Sequence, residues 1–254
     1  MVTYDDIKNA LKNIIPMNCP VLVHSSLKSF GYVDGGADTV INALLSVCGG
    51  NGTVVVPTLS FNFVDESNPY FSVHETPSSC GIVTETLRKR PGAHRSQHVF
   101  SSAAAIGADA QYLTEWHDDT PCGPRTPYMK IIEMSGYSLF LGALMSTNSL
   151  FHCAEEAVNP EYMRYKTIFN VKVKDSNDTT HIRNYKRYDC AQTGIVRRLD
   201  RMEKIFRDNG AIKDLKIGDS HVMLISAEDN FKLSCNLLKN DPGYILENNI
   251  PVKI

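Results

Sequence analysis

Between residues 20 and 58 the chain alternates between two short apolar runs and one amphipathic segment. "PVLVHSS" is apolar as far as His24, and "GTVVVPT" (52–58) is too short and too uniformly apolar to be a surface helix. "TVINALLSVCGG" (39–50) lies between them, has helical periodicity and stops at paired glycines. This order predicts a βαβ unit with a right-handed crossover, and therefore a mostly parallel sheet covered on both faces.

Further periodic segments extend the same pattern towards the middle of the chain. "AAAIG" (103–107) and "SLFLGA" (138–143) are predicted to be buried strands. Helices are predicted at the N-terminus and at "SSCGIVTETLRKRPG" (78–92), "ADAQYLTEW" and "PYMKIIEMSG", the last with Pro127 at a favourable first position.

The pattern changes at about residue 165. "YKTIFNVKVKD" and "TTHIRNYKRYD" alternate around a polar turn, which predicts an antiparallel hairpin. A charged helix over 195–210, a strand near "HVMLIS" and the helix "AEDNFKLSCNLLKN" are predicted to follow. The expected fold is one compact α/β domain over residues 1–254. Its mixed, mostly parallel central sheet is flanked by helices, with the hairpin in the C-terminal half.

Composition excludes several classes of protein. The net charge is −2, so no global field favours nucleic acid or an anionic membrane. No apolar run reaches the roughly 20 residues of a membrane span. The amphipathic start is unlike a secretory signal, and the seven cysteines are scattered singly, without CxxC spacing. A cytoplasmic protein without a disulfide framework or a metal site is expected.

The first predicted strand ends in "HSSLKSFG" (24–31), a segment rich in hydroxyls and free backbone N–H groups. Ligands of open α/β sheets gather at such carboxyl ends, and this segment is compatible with a phosphate or pyrophosphate. A polar turn that only caps the next segment is the alternative. Thr58, after the second strand, is expected to face the same mouth. The chain has neither a Walker lysine nor a GxGxxG motif.

The segment "TNSLFHCAEEA" (147–157) follows the third predicted strand of this edge. In a helix, Glu155 and Glu156 lie on the flank of His152, at i+3 and i+4. A carboxylate bonded to one ring nitrogen would fix the tautomer and leave the other nitrogen as a base. A half-buried histidine in a surface ion pair is the equal alternative on spacing alone.

Other reactive residues are weaker candidates. His94 and His98 have the i,i+4 spacing of a metal pair but no evident third ligand; a hydrolase that adds His117 is a remote alternative. Cys153 adjoins His152, yet successive helical residues do not face each other. Cys122 lies in a turn rich in Pro and Gly, and no GxSxG elbow is present.

Several segments, in order, resemble the aminoglycoside 3-N-acetyltransferase family, whose antibiotic N-acetyltransferase fold differs from the common GNAT fold. They are "VLVHSSLKSFGYVDGGADTVINALL", "GTVVVPTLSF", "RKRPGAHRSQHVFSSAAAIGADAQYLT", "DDTPCGPRTPYMKIIEMSG" and "LFLGALMSTNSLFHCAEE". Two positions depart from the family pattern. His98-Val99 stands where the family often has His-Pro, and Cys122-Gly123 where it has Phe-Gly.

The resemblance implies transfer of acetyl from acetyl-CoA to an amine of an aminocyclitol or amino sugar, without a metal. It assigns the base to His152, which matches the histidine of the family's H-x-A-E motif, and the glutamate of that motif matches Glu155. Apart from the resemblance, Glu155 or Glu156 is expected to orient His152, and Asp189, at the end of the second hairpin strand, either to support the histidine or to bind the substrate. The positions expected to contact the CoA donor are His24, Ser25, Ser26, Leu27, Lys28, Ser29, Thr58 and Ser96. The positions expected to contact the acceptor are Asp65, Asp119, Thr120 and Glu156.

The acceptor is left open between a polycationic aminoglycoside, which would need carboxylates, and an amino sugar or nucleotide sugar, whose diphosphate would prefer basic residues. A non-catalytic CoA- or nucleotide-binding module is the alternative from another class. The expected partners are the amine acceptor and CoA, with neither nucleic acid nor membrane, and a homo-oligomer stays open.

Overall fold

The computed structural model describes residues 1–189 and 194–247. The strands are β1 (Pro20–Ser25), β2 (Thr53–Pro57), β3 (Tyr70–Ser72), β4 (His94–Arg95), β5 (Ala103–Gly107), β6 (Tyr137–Leu141), β7 (Tyr165–Lys174), β8 (Thr180–Tyr188), β9 (Ile212–Ile217) and β10 (Ser220–Ser226). The helices are α1 (Tyr4–Leu11), α2 (Gly36–Cys48), α3 (Ile82–Arg88), α4 (Ala110–Thr114), α5 (Pro127–Glu133), α6 (Ser149–Val158), α7 (Met202–Asp208) and α8 (Ala227–Asn240).

The central sheet has seven strands in the order β4-β5-β2-β1-β6-β10-β9. The predicted βαβ unit is confirmed, because β1 and β2 are parallel neighbours joined through α2. β6 is also parallel to β1, but β5, β4, β10 and β9 join the sheet by antiparallel pairing. The sheet is therefore mixed, as expected, but not mostly parallel. A uniformly apolar strand reports burial on both faces and carries no information about its direction.

Helices cover both faces of this sheet. Along β1, Val21 and Val23 contribute to the core beneath α1 and α2, whereas Leu22 belongs to the core beneath α5 and α6. Since successive side chains of a strand point to opposite faces, this alternation places a hydrophobic core on each side of the sheet. α1 begins with a capping box in which the Asp6 N–H donates to Thr3 Oγ1 at 3.3 Å and the Thr3 N–H donates to Asp6 Oδ2 at 2.9 Å.

The predicted hairpin is confirmed, and it belongs to a second sheet of three strands, β3-β7-β8. A cluster that includes Val99, Phe100, Ile168 and Tyr185 packs this sheet against the body of the protein. The end of β8 is thereby brought beside α6, where the rings of Tyr188 and His152 lie 5.0 Å apart.

The helix predicted over residues 195–210 is shorter in the structure. Residues Leu199–Arg201 form a 3-10 turn that leads into α7, and Arg197 forms a β-bridge with Leu246. The N–H of Arg198 donates to the carbonyl of Ile245 at 2.6 Å, so strand-like pairing replaces the first helical turns. In the described part of the chain, the apolar stretch of each helix is too short to cross a bilayer.

Candidate functional site

A cavity of about 540 Å³ opens at the carboxyl ends of β1, β2 and β6. β1 and β6 are adjacent and parallel, so His24 at the end of β1 pairs in register with Phe140. α6 starts shortly after β6, and the hairpin closes the opposite side. The cavity is lined by His24, Ser25, Pro57, Leu59, Phe61, Cys80, Thr84, Phe100, Ser101, Pro121, Cys122, Tyr128, Ala143, Ser146, Thr147, Ser149, His152, Arg187, Tyr188, Asp189 and Arg197.

His152 and Glu155 form the central polar contact of this cavity. The Nδ1 of His152 lies 2.5 Å from Glu155 Oε2, and the two residues are one helical turn apart on α6. The side chain of Glu155 is fully buried, whereas that of His152 is 21% exposed. Because the carboxylate accepts the Nδ1 proton, the lone pair of the neutral ring is on Nε2. Nε2 has no hydrogen-bond partner within residues 1–189 and 194–247.

Two further donors hold the Glu155 carboxylate. The Tyr162 hydroxyl donates to Oε1 at 2.7 Å, and Arg197 donates to Oε2 at 2.8 Å. Burial by itself raises the pKa of the Glu155 carboxyl, but His152, Arg197 and the Tyr162 hydroxyl together hold that pKa below its usual value. Glu155 is therefore a buried anion that is compensated on both oxygens.

The neighbouring Glu156 faces a different set of groups. Its Oε1 accepts from the Cys122 N–H at 2.7 Å and from the Tyr188 hydroxyl at 2.7 Å, and it is also hydrogen-bonded to the Thr120 side chain. Burial raises the pKa of this carboxyl despite those donors. Glu155 is therefore the glutamate that contacts the histidine, and Glu156 links the Cys122 turn to the end of the hairpin.

Arg197, Tyr162 and Tyr188 were missed from the sequence. Arg197 falls within the segment predicted as a helix, where several other basic residues occur and nothing in the pattern distinguishes it. Tyr188 is the last residue of β8 and Tyr162 lies in the turn after α6. Their spacing from the glutamates carries no periodic signal, because the fold and not a shared helix brings them together.

Of residues 25–30, only Ser25, the last residue of β1, lines the cavity. The N–H of Ser26 donates to the carbonyl of Leu141 at 2.9 Å. Residues Leu27–Phe30 form a short 3-10 helix, in which Leu27 packs on the core and Lys28 is exposed. The Ser29 hydroxyl lies 2.7 Å from the Ser26 carbonyl and 2.8 Å from the Ser220 hydroxyl.

Thr58 and Ser96 lie behind the cavity wall. The Thr58 hydroxyl lies 3.0 Å from Ser102 Oγ and accepts from the buried Arg95 guanidinium at 3.2 Å. The Ser96 hydroxyl lies 2.9 Å from His117 Nδ1 and accepts from the Ala103 N–H at 3.0 Å. Both hydroxyls satisfy buried groups of the protein, so the structure does not bring them to the predicted CoA site.

The carboxylates predicted around the acceptor are dispersed. Asp189 lines the cavity. Asp65 caps its own turn, where Oδ1 accepts from the Ser67 N–H at 2.7 Å, and Asp119 Oδ2 lies 3.3 Å from Lys186 Nζ on the outer surface. Of the predicted acceptor positions, Glu156 and Thr120 lie together behind the Cys122 turn, while Asp65 and Asp119 lie outside the cavity lining.

His98 and His117, two of the three histidines considered for a metal site, hold backbone groups of the protein. His98 Nδ1 accepts from the N–H groups of Phe100 and Ser101, and its Nε2 donates to the Asp119 carbonyl at 3.2 Å. His117 donates from Nε2 to the Pro121 carbonyl at 3.0 Å. His94 is exposed on β4. In the portion that the structure describes, no group of three or more His, Cys, Asp or Glu side chains is arranged for a metal ion.

The two cysteines near His152 have different surroundings. Cys153 is fully buried and packs in the core beneath α5 and α6. Cys122 lines the cavity, but burial and the neighbouring Cys153 and Glu156 raise the pKa of its thiol well above the ordinary value. The Cys122 thiol is therefore not ionised at neutral pH, and neither residue is activated as a nucleophile.

Comparison with known proteins identifies the family. The model of the aminoglycoside 3-N-acetyltransferase family, Antibiotic_NAT, matches residues 22–239, which is most of the chain. The chain belongs to this family.

Individual members of the aminoglycoside 3-N-acetyltransferase family match over different extents. Aminoglycoside N(3)-acetyltransferase IX of Micromonospora chalcea is 35% identical over 165 residues, 58% of this chain and 59% of the relative. Aminoglycoside N(3)-acetyltransferase VII of Streptomyces paromomycinus is 35% identical over 163 residues, 57% of each chain. The match with these relatives therefore spans less than two thirds of their length.

The solved structure of aminoglycoside acetyltransferase AAC(3)-Xa superposes with a TM-score of 0.84 at 26% identity, covering 92% of each chain. The structure of AAC-IIIb in a binary complex with CoASH superposes with a TM-score of 0.83 at 25% identity, covering 93% of this chain and 96% of AAC-IIIb. These likenesses confirm the predicted antibiotic N-acetyltransferase fold.

Proposed function

We propose that this chain is an acetyl-CoA-dependent N-acetyltransferase. Its acceptor is an amine of an aminoglycoside, at the 3-amino group of the aminocyclitol, or of a related amino sugar. The observation that carries the proposal is the contact of His152 Nδ1 with the buried Glu155 carboxylate, which leaves Nε2 as a base beside the cavity. The names of the relatives and the CoASH complex of AAC-IIIb support both the reaction and the donor.

The donor side of the cavity is assigned to the loop after β1. Ser25 lines the cavity, and in the described part of the chain the N–H groups of Leu27 and Lys28, at the start of the 3-10 helix, have no hydrogen-bond partner. Backbone N–H groups at a helix start suit the phosphates and amide carbonyls of CoA. Ser26 and Ser29 act by holding this loop in place, since their own groups bond within the protein.

The reaction starts from a neutral acceptor amine. Its nitrogen attacks the thioester carbon of acetyl-CoA and forms the new C–N bond, while the carbonyl π electrons move to oxygen. His152 Nε2 takes a proton from that nitrogen as positive charge develops on it. The C=O bond then re-forms, the C–S bond breaks, and the thiolate of CoA recovers the proton from His152. The acetamide and free CoA are the products, and none of these steps calls for a metal.

Glu155 makes this proton transfer possible by orienting His152 and by stabilising the imidazolium that forms. Arg197 and Tyr162 hold the carboxylate on its other sides. Transfer is direct in this proposal, because the Cys122 thiol stays protonated and Cys153 is packed away from the cavity. We include Asp189, on the opposite wall, as a binding group for the acceptor amine.

The charges of the cavity bear on the choice of acceptor. Asp189 is the one carboxylate among the described lining residues, whereas Arg187 and Arg197 are both cationic. Within the described residues Arg187 has no ion pair, although it lies close enough to Asp65 to favour the ionised form of that carboxyl. A polycation would be repelled by a guanidinium that has no ion pair in the described part of the chain. Arg187 therefore favours, as the second candidate acceptor, an amino sugar carried on a phosphate or nucleotide diphosphate.

Release of free thiol from acetyl-CoA tests the proposal. Purified protein is offered aminoglycosides, simple amino sugars and nucleotide-linked amino sugars, and the acetylated product is identified by mass spectrometry. His152→Ala is expected to lower kcat by about 10²–10⁴ with little change in CoA affinity, whereas His94→Ala, on the exposed edge strand, is expected to behave as wild type. If no amine is acetylated while CoA still binds, the chain is a non-catalytic CoA-binding module.

A further inference from the structure

His24 is a buried histidine that the proposed reaction does not yet use. It lies at the end of β1 and is 3% exposed, and its ring stacks on Phe140 with centroids 5.0 Å apart and planes 20° apart. Its side chain also lines the cavity that contains His152. The strand and the stacked ring fix the imidazole in place on the donor side of the cavity, next to Ser25.

Neither ring nitrogen of His24 has a hydrogen-bond partner within the described residues; Nε2 is fully shielded from solvent, whereas Nδ1 is not. The two other buried histidines, His98 and His117, have partners on both nitrogens. An unsatisfied buried polar group destabilises the folded state, so its presence calls for a reason other than stability. That reason is a hydrogen-bond partner that arrives with the substrates.

The protonation state of His24 limits what it can do. Burial, aided by the charge of a protonated His152, lowers the pKa of His24 to about 3. The ring is therefore neutral at neutral pH and carries one N–H. A neutral imidazole of this kind does not compete with His152 for the amine proton, but it is an effective donor to an oxygen that gains negative charge.

We propose that His24 is a second catalytic residue, whose Nδ1–H, on the ring nitrogen that is not shielded, donates to the acetyl carbonyl oxygen as that oxygen becomes negative in the tetrahedral intermediate. No proton is transferred in this step; the hydrogen bond strengthens as the C–N bond forms and weakens as the C–S bond breaks. The amine nitrogen is not the target, since a donor there would occupy the lone pair that attacks. This role rests on the proposed acetyl transfer.

His24→Phe is the direct test, because it keeps an aromatic ring against Phe140 and removes both nitrogens. We expect kcat to fall about 10²-fold, the loss typical of one oxyanion donor, with the KM for acetyl-CoA within twofold of wild type. Thermal stability should be unchanged or higher, since an unsatisfied polar ring is replaced by an apolar one. His24→Asn, which retains an N–H donor, should recover part of kcat. His94→Phe is the matched control.

Three results would overturn the role of His24. They are a kcat within twofold of wild type in His24→Phe, a loss confined to the KM for acetyl-CoA, and a His24→Asn variant no more active than His24→Phe. If the phenylalanine variant does not fold, His24→Leu replaces it under the same criteria. If the wild-type protein itself acetylates no amine, the proposed function fails, which is a different outcome from an active wild type with an equally active variant.

Discussion

At the scale of single residues, adjacent glutamates on one helix have opposite electrostatic situations. Glu155 is ionised against His152, Arg197 and Tyr162, whereas Glu156 is half-buried with neutral donors only. The i+3 and i+4 spacing from His152 predicted that a glutamate would contact the histidine, but not which one. The choice depends on Arg197 and Tyr188, which reach α6 from other parts of the chain.

Replacing each glutamate by glutamine should have different effects on the free energy of unfolding at neutral pH. Glu155→Gln is expected to lower the free energy of unfolding by about 1–3 kcal/mol, because it removes the charge that Arg197 and His152 compensate. Glu156→Gln should leave the free energy of unfolding unchanged or higher, because the amide oxygen can still accept from Cys122 and Tyr188. Denaturant titrations at pH 7 compare the two. A larger loss for Glu156→Gln would contradict the assignment.

The pH dependence of stability tests the same assignment independently, because the pKa values of the two carboxyls are shifted in opposite directions. The folded-state pKa of Glu155 is lowered from 4.5, so its contribution is present above that value and is lost as the pH falls through the folded pKa. The folded-state pKa of Glu156 is raised from 4.5, so its penalty appears as the pH rises through that range. The destabilisation by Glu155→Gln should therefore shrink on acidification well below pH 4.5, and any gain from Glu156→Gln should vanish there.

Burial also explains why some polar residues that were predicted at the site do not line the cavity. Thr58 and Ser96 occupy the places after strands where ligands usually bind, yet they solvate the buried Arg95 and His117. The sequence contains no sign that Arg95 is buried. Asp65 similarly carries the charge expected of an acceptor site but is engaged in its own turn. That any of these residues contacts a substrate stays a prediction.

At the scale of elements, the strands and helices around the site were predictable because each has a complete local signal. The predicted strand "AAAIG" coincides with β5, and "AEDNFKLSCNLLKN" coincides with α8, capped by Ser226. The direction of β5 and the loss of the first turns of the 195–210 helix were not predictable, since both result from pairing with distant segments. Local sequence specifies an element better than it specifies that element's neighbours.

Gly142 shows how closely two such elements meet. It follows β6 with φ +64°, and a Cβ there would lie 1.7 Å from Ser29 Oγ and 2.4 Å from Ser220 Oγ. Gly142→Ala should lower the free energy of unfolding by about 2 kcal/mol or more, through strain at positive φ and displacement of the loop after β1. The KM for acetyl-CoA should rise as well.

Gly50→Ala is the matched control for this prediction, because a Cβ there meets nothing within 4 Å. Thermal unfolding and acetyl-CoA titration of the two variants make the comparison. Equal stability of Gly142→Ala and wild type would mean that the loop after β1 does not depend on this close approach.

At the scale of the whole molecule, a hydrophobic cluster joins the two sheets. Val99 and Phe100 from the body pack with Ile168 and Tyr185 of the hairpin sheet. Trp116, the single tryptophan, lies on the body with the Arg183 guanidinium of β8 5.9 Å from its ring centre. Its fluorescence therefore reports on whether the hairpin is in place.

We expect the hairpin and the central sheet to unfold together. Tryptophan fluorescence and far-UV circular dichroism should show coincident transitions in urea, because separation would expose the apolar cluster between the sheets. A fluorescence change that precedes the loss of ellipticity would contradict a single cooperative unit. Phe100→Ala, which weakens that cluster, should move both transitions to lower urea by a similar amount.

The two walls of the cavity belong to different architectural units. His24 and His152 are carried by the middle of the central sheet and by the helix that follows β6, whereas Arg187, Tyr188 and Asp189 lie at the end of a peripheral hairpin. Substitutions at Arg187 or Asp189 alter the wall that the acceptor meets without touching the cores that position the base. In the proposed reaction, the acceptor can therefore differ between variants while the residues that transfer the acetyl group stay the same.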